Sequence, residues 1–532
     1  MSVKFQTIIP STMVPKPLNS GSQHIIRRRK IEVLPVNQTN YQFSGNNRIQ
    51  FNISSASEFM DAQNSYLRFD FRAYGLDTEG KEDPLLSLAT GGAHALFKTI
   101  TIRLQNGTEL VKVGTYNKWY GMTSGLTQSA DHVESFGWMY GDSVGRFKSF
   151  DPRKTKYLHH STMTADNIRY AELAAGGAAT LVHRYLPLVP DNLNCLGGLV
   201  EDDVKATPIA NLQAESGGFN AARVQACLNT SNDADLATPG VILSATLPLS
   251  ILQMHSYLPL PYIQGGLQIE IELDNPVYAL SSNDGITPGT SGVLDYAIYT
   301  PRMVCQFVQP SEEIMSQYLN LYKQNKLTYP YMKIQHYLNT DSGADATSSF
   351  VMHPNMRSAV LATTIVQNRN ANTTTQTADA DSNSHIYDCI GTTIKANINS
   401  YQYKVGSDNY PDTAVSMPDI YNAEAFLESQ RAFGHLGSVL FAPRSRPSEW
   451  WSVNLDSADN AAESLRLVMA YDLSRDSSIF SGVDVSVAPF TAEFGTSAAY
   501  RLGESNSTRY YHTWIFGNAI LKIGQSGVSV LN

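Results

Sequence analysis

The chain has 532 residues, too long for one ordinary domain and long enough for two β-rich domains of about 200–250 residues each. It is 42% hydrophobic and only 16% charged, against about 25% charged in an average domain. That balance, with many Tyr, Thr, Ser and Asn residues, suits sheets joined by polar loops and argues against helix bundles. A formal net charge of −9 excludes a surface built throughout to grip nucleic acid, because phosphate binding requires Lys and Arg in excess.

Residues 1 to about 30 read as an arm, rich in Pro, Ser, Gly and Asn and without a sustained period. Such a segment orders when it docks on something. Its one basic run, Arg27-Arg28-Arg29-Lys30, has two readings: a solvated turn before the first strand, or a contact to a polyanion or a membrane headgroup. The N-terminus, Met1 to Pro17, has no continuous apolar core of signal-peptide type, and no run approaches the roughly 18 apolar residues of a membrane-spanning helix.

From Ile31 the period switches to two. Ile49, Phe51 and Ile53 alternate with polar residues, then Leu67, Phe69 and Phe71 alternate with Arg68 and Asp70. This pattern predicts half-buried strands. Ile100, Ile102 and Leu104 lead into Asn106-Gly107, and Leu110 to Val113 returns, which predicts a hairpin closed by a type I′ turn. Residues 121–180 read as a long decorated loop with one short helix at most, followed by a strand at Tyr185 to Val189. Residues 200–238 read as a further exposed loop.

Leu247 to Tyr322 is the hinge of the sequence. Leu267, Ile269, Ile271 and Leu273 point one way, and Gln268, Glu270 and Glu272 the other. Tyr296 to Val308 is a further strand. Pro310-Ser311-Glu312-Glu313 then predicts a helix to about Tyr322, capped by the Ser311 hydroxyl, with Ile314, Tyr318 and Leu321 on one face. Beyond it the β pattern restarts at Met332 to Leu338, Ser358 to Val366, Ser438 to Phe441, Leu465 to Tyr471 and Tyr511 to Ile523. It is interrupted by an Asn/Thr/Asp loop at 368–384 and a helix near Tyr421 to Ala432. No letter-level repeat links the two halves.

Chemistry-bearing motifs are sparse. There is no GxSxG elbow, P-loop, HExxH or GxGxxG. His159-His160 is a poor chelate, since adjacent strand residues face opposite sides. Glu270 and Glu272 share a strand face, as glycosidase carboxylates do, but charged strand faces are mostly solvated or ion-paired. Trp450-Trp451 is read as packing rather than a sugar platform. Cys195, Cys227, Cys305 and Cys389 are scattered without a CxxC pair, so free thiols in a reducing compartment are expected. No catalytic, metal or cofactor site is assigned.

Several stretches resemble the double-jelly-roll major capsid proteins of large eukaryotic DNA viruses, virophages and polinton-like viruses. Leu247-Pro248-Leu249, then Leu258-Pro259-Leu260-Pro261-Tyr262, then Leu267 to Leu273, are similar to the end of that family's first roll. Tyr299 to Val308 and Ser311-Glu312-Glu313 look like its last strand and acidic linker helix. Asn518 to Ile523 with Gly524, Gly527, Val528 and Asn532 resembles its closing strand and Gly-rich tail. Phe59-Met60-Asp61 with Asn64 to Leu67, and Phe97 to Gly107, look closest to the virophage and polinton-like branch.

The resemblance implies an all-β fold of two consecutive eight-stranded antiparallel jelly rolls with a linker helix and long loops. The expected division is an arm at 1–30, rolls at 31–310 and 326–532, and the linker at 311–325. It further implies a non-enzymatic major capsid protein in the virion, assembled in the host cytoplasm, without sequence-specific nucleic-acid binding. Its homotrimers would have a pseudo-sixfold outline and tile an icosahedral shell beside minor capsid or penton proteins. The arm, with Arg27, Arg28, Arg29 and Lys30, would reach a neighbour, a minor capsid protein or an inner membrane. The alternative reading is a carbohydrate-binding or carbohydrate-cleaving β-sandwich.

Overall fold

In the computed structural model the period-two stretches pair into antiparallel sheets. It describes residues 25–77, 87–89, 91–142, 241–281, 292–341, 347–367, 398–417, 424–434, 443, 467–475, 481–496 and 509–531. The first half contributes β1 (Ile25–Val33), β2 (Asn40–Gln42), β3 (Arg48–Ile53), β4 (Phe59–Asp77), β5 (Ser87–Leu88), β6 (Phe97–Leu104), β7 (Glu109–Val113), β8 (Val241–Ala245), β9 (Leu267–Leu273), β10 (Leu280–Ser281) and β11 (Gly292–Pro310). The second half contributes β12 (Leu327–Asp341), β13 (Thr347–Met352), β14 (Ala359–Gln367), β15 (Ile398–Val405), β16 (Asp408–Ser416), β17 (Met469–Asp472), β18 (Phe490–Thr496), β19 (Arg509–Gly524) and β20 (Gly527–Leu531).

The strand orders are the decisive observation. The first half forms one sheet ordered β1-β11-β4-β8 and a second ordered β3-β9-β6-β7. The second half forms β12-β19-β14-β17 and β13-β18-β15-β16. Leave out β2 and β20, which pair beside the main path, and the separate β5–β10 ribbon, and number the rest within each half. Both halves then read first-eighth-third-sixth in one sheet and second-seventh-fourth-fifth in the other. That is the connectivity of an eight-stranded jelly roll, in which paired Greek keys bury one face of each sheet. Alternation supplies those faces. Leu267, Ile269, Ile271 and Leu273 are buried, while Gln268, Glu270 and Glu272 are half-exposed. One cluster of buried apolar residues continues through both rolls.

Among the described residues, four helices of nine or more residues decorate this frame: α1 (Tyr116–Thr127), α2 (Ala130–Tyr140), α3 (Glu312–Lys323) and α4 (Glu424–Ala432). The first two correct the reading of 121–180 as a loop over its described part. Tyr116, Trp119, Tyr120, Met122 and Leu126 are all buried, so α1 has no polar face to give a helical period. The ends of α2 follow capping rules: the Ser129 hydroxyl accepts from the His132 N–H at 3.1 Å, and Gly141 closes the helix at φ +77°.

Three local expectations are corrected. Ser311 does sit at the N-cap of α3, but its hydroxyl makes no capping bond. Leu321 is 39% exposed, and α3 holds to the body through half-buried Tyr318 and Tyr322 instead. At Asn106-Gly107 only Gly107 has positive φ, at +90°. The Gly107 N–H bonds to the Leu104 carbonyl, and the Leu104 N–H to the Thr108 carbonyl, each at 2.9 Å. This is a three-residue hairpin with a glycine bulge, not a type I′ turn. The strands expected at Tyr185 to Val189 and Ser438 to Phe441, and the loops at 200–238 and 368–384, lie outside the described residues.

Two glycines in the first roll separate strain from crowding. Gly266 has φ +86°, and a Cβ there would lie 2.2 Å from the Ile53 carbonyl oxygen. Gly107 has open space around it. Gly266→Ala is expected to lower unfolding stability by roughly 2–3 kcal/mol and Gly107→Ala by only about 1 kcal/mol. The difference is read from urea-denaturation midpoints of the two variants.

Candidate assembly interface

Each roll has a first sheet with one face on its core and one face outward. In the second roll, Tyr511 packs on Phe350 and Phe494 of the opposing sheet, and Thr513 bonds to Thr364, so His512 and Trp514 point outward. That outward face is covered by the first roll. The chain leaves β7, turns at Thr115 (φ 48°, left-handed) and lays α1 across β12, β19 and β14.

A set of polar contacts holds this seam. The Lys118 ammonium donates to Gln367 Oε1 at 2.6 Å and lies 3.3 Å from His512 Nε2. His512 Nδ1 is 3.1 Å from His336 Nε2, which also meets the Thr115 hydroxyl at 3.1 Å. The Trp514 indole N–H donates to the Gly114 carbonyl at 3.4 Å. Along the β7 edge, the Tyr331 hydroxyl donates to the Leu110 carbonyl at 3.1 Å.

The donors dictate the protonation pattern. An ammonium only donates, so His512 Nε2 accepts and its proton sits on Nδ1. That proton is given to His336 Nε2. Both imidazoles are therefore neutral, and their lone pairs are occupied. Burial pushes the His336 pKa down to about 3, reinforced by Lys118. Burial, then Lys118 and His336, drives His512 well below the ordinary histidine value.

The linker side of the seam is aromatic. Phe59 and Tyr318 have ring centroids 4.8 Å apart, and Tyr262 and Tyr322 5.1 Å. The Tyr262 hydroxyl donates to the Met315 carbonyl at 3.1 Å. The closing hairpin is tied to the same end: the Ser526 hydroxyl donates to Asn325 Oδ1 at 2.9 Å.

Arg27, Arg28, Arg29 and Lys30 lie within β1, not in a turn ahead of it, and all four are exposed. They do not act as one unit. Arg29 forms a two-bond clamp on buried Glu58, at 2.7 and 2.5 Å, which pins β1 to the start of β4. Arg28 donates to the Tyr257 hydroxyl at 2.7 Å. Lys30 joins a group that the sequence did not connect. Phe69 packs on Phe97 of the opposing sheet, so Arg68 points outward, and Arg302 is its register partner on β11. Arg302 donates to Glu32 at 2.7 Å, and Lys30 lies 3.7 Å from the same carboxylate. The Arg302 hydrogen bond holds the Glu32 carboxyl below its ordinary range, with Lys30 and Arg68 adding to it.

Glu270, considered above as a glycosidase carboxylate, is ion-paired to Arg103 and lies 3.8 Å from Arg48. Cys305 is buried in the first roll, which pushes its thiol up to about 12. His159-His160, Trp450-Trp451, Cys195, Cys227 and Cys389 lie outside the described residues. Among the described residues, no group of three or more His, Cys, Asp or Glu is placed to hold a metal ion.

No protein-family model and no curated protein matches the chain. Solved structures do. A chain of the Sputnik virophage particle superposes with a TM-score of 0.51 at 14% identity, covering 96% of this chain and 89% of that one. The Faustovirus major capsid protein superposes with a TM-score of 0.51 at 8% identity, covering 96% of this chain and 93% of that one. The chain has the fold of a viral major capsid protein. At these identities the likeness is one of fold, and it covers 96% of the chain.

The neutral histidines give the seam a pH signature. A histidine whose folded pKa is depressed adds stability that is complete above its ordinary value of 6.5. That stability is lost as pH falls from 6.5 toward the folded value. Each such histidine costs roughly 1.4 kcal/mol per pH unit in that window. Buried His94, also pushed down to about 3, acts with the same sign. The urea midpoint of the protein is expected to fall steeply between pH 6.5 and 4.5, and His336→Gln to flatten that slope by about one histidine's share.

Proposed function

We propose that the protein is the major capsid protein of a DNA virus, a structural subunit located in the virion. The observation that carries this reading is the repeated jelly-roll strand order of this chain, together with a fold that superposes on the Faustovirus major capsid protein over 96% of its length. Its capsomer is a homotrimer: two rolls per chain and three chains give six rolls in a ring of pseudo-sixfold outline. Neighbouring capsomers and minor capsid proteins complete the shell. The working division is an N-terminal arm, a first roll ending at Pro310, the linker α3, and a second roll from Leu327.

The role is mechanical rather than catalytic. Stability comes from surface buried between subunits, which in obligate assemblies runs to about 2,000–5,000 Å². The Arg103 and Arg48 partners of Glu270 favour a structural role for that carboxylate over glycan cleavage. The segment ahead of β1 is the arm that reaches a neighbouring capsomer, a minor protein or an inner membrane.

Size-exclusion chromatography with light scattering on the purified full chain is expected to give a trimer, and negative-stain images to show assembly into larger shells or sheets. A stable monomer that hydrolyses a glycan overturns the reading. Deleting residues 1–24 spares all of β1. That variant is expected to remain a folded trimer and to lose shell formation in the same images.

A further inference from the structure

The seam inside the chain has a counterpart with no partner in the same chain. In the first roll, the segment after the fifth strand (β7, then α1) lies on the outward face of the second roll's first sheet. The second roll has the same parts: its fifth strand is β16, and α4 follows before the sixth strand, β17. The first roll also has the same receiving face, the outward side of β1, β11 and β4. One end of that face, at Phe59 and Val308, is buried beneath Tyr262 and Tyr318 of the linker side, but around Lys30 and Arg302 it is open, their side chains being 47% and 43% exposed.

The two surfaces carry opposite charge. On the receiving face Lys30, Arg68 and Arg302 surround Glu32, with Arg28 on the same side of β1. On the other, Glu428, Asp412 and Asp472 gather around half-buried Tyr471, with Arg431 among them, and Glu424 lies one turn before Glu428 on α4. Leu427, 46% exposed, projects from the same helix.

We infer that the acidic α4, β16 and β17 edge of one chain docks on the basic β1, β11 and β4 face of a second copy of this chain, repeating between chains the seam that joins the rolls within one. The inference rests on the capsid reading and deepens it by naming the surfaces that close the ring. The contact is head-to-tail, so a rotation that closes yields a ring rather than a symmetric dimer.

The test is a charge swap in the full chain, read by sedimentation velocity, with circular dichroism confirming that each variant is folded. Lys30→Glu with Arg68→Glu is expected to raise the trimer's apparent dissociation constant at least ~10-fold, because like charges then face each other. Asp412→Lys with Glu424→Lys is expected to do the same. All four substitutions in one chain are expected to restore the trimer. As a measurement needing no variant, the wild-type trimer is expected to dissociate more readily at 1 M than at 0.1 M salt, where screening lengths are about 3 and 10 Å. A wild-type trimer indifferent to both reversals, a fourfold variant that stays dissociated, or a trimer insensitive to salt overturns this inference alone. A wild-type protein monomeric at every concentration overturns the capsid reading with it.

Discussion

The structure depends on Lys118 being buried where two rolls meet. Lys118 is 3% exposed, and a buried ammonium is costly unless acceptors are in place. Gln367 and His512 supply them, from β14 and β19 of the other roll. Few arrangements of the rolls meet that demand. Sliding α1 along the sheet would strand the charge, and rotating it would take Gly114 away from the Trp514 indole. Apolar packing glues the rolls; the lysine sets their register. Thr115, a β-branched residue in the left-handed region, is the local strain that lets β7 turn directly into the helix that carries the lysine.

This arrangement explains what the sequence discloses and what it hides. Strand faces were legible because one face is wet: Leu267 to Leu273 and Ile49 to Ile53 alternate, and their buried positions are the apolar ones. The alternation could not show that a second-roll sheet face is covered twice. His512 and Trp514 look like ordinary outward residues until α1 is placed over them. The seam residues are also remote in the chain, with Lys118 and His512 separated by 394 positions. No local period connects them. Helix α1 was missed for the same reason: buried from several sides, it has no polar stripe, and Gly121 and Gly125 weaken its intrinsic preference. By contrast α2 was within reach, since Ser129 and Gly141 mark both its ends.

The basic run shows a different limit. Four consecutive cations read as one feature, yet a strand sends neighbours to opposite sides. Arg29 turns to the body and clamps Glu58, while Lys30 joins Arg68 and Arg302 across two other strands. The unit the fold assembles is a charged patch on a sheet, with Arg302 about 270 positions from Lys30 and Glu32, and the run itself is an accident of adjacency.

The two rolls share connectivity without shared letters, because a jelly roll asks only for alternation and turns at suitable intervals. Their outward faces differ for a reason that follows from when each is covered. The second roll's face is covered as the chain folds, so it can be aromatic and neutral, with Trp514 and His512 fully buried and His336 partly so. On the proposed docking, the first roll's face has to stay hydrated in a free subunit until another copy covers it. An apolar face there would invite indiscriminate association, whereas a charged one stays hydrated and selects an oppositely charged partner. Lys30, Arg68 and Arg302 on that face, and Asp412, Glu428 and Asp472 on the edge that would meet it, are the residues expected of a joint made between chains rather than within one.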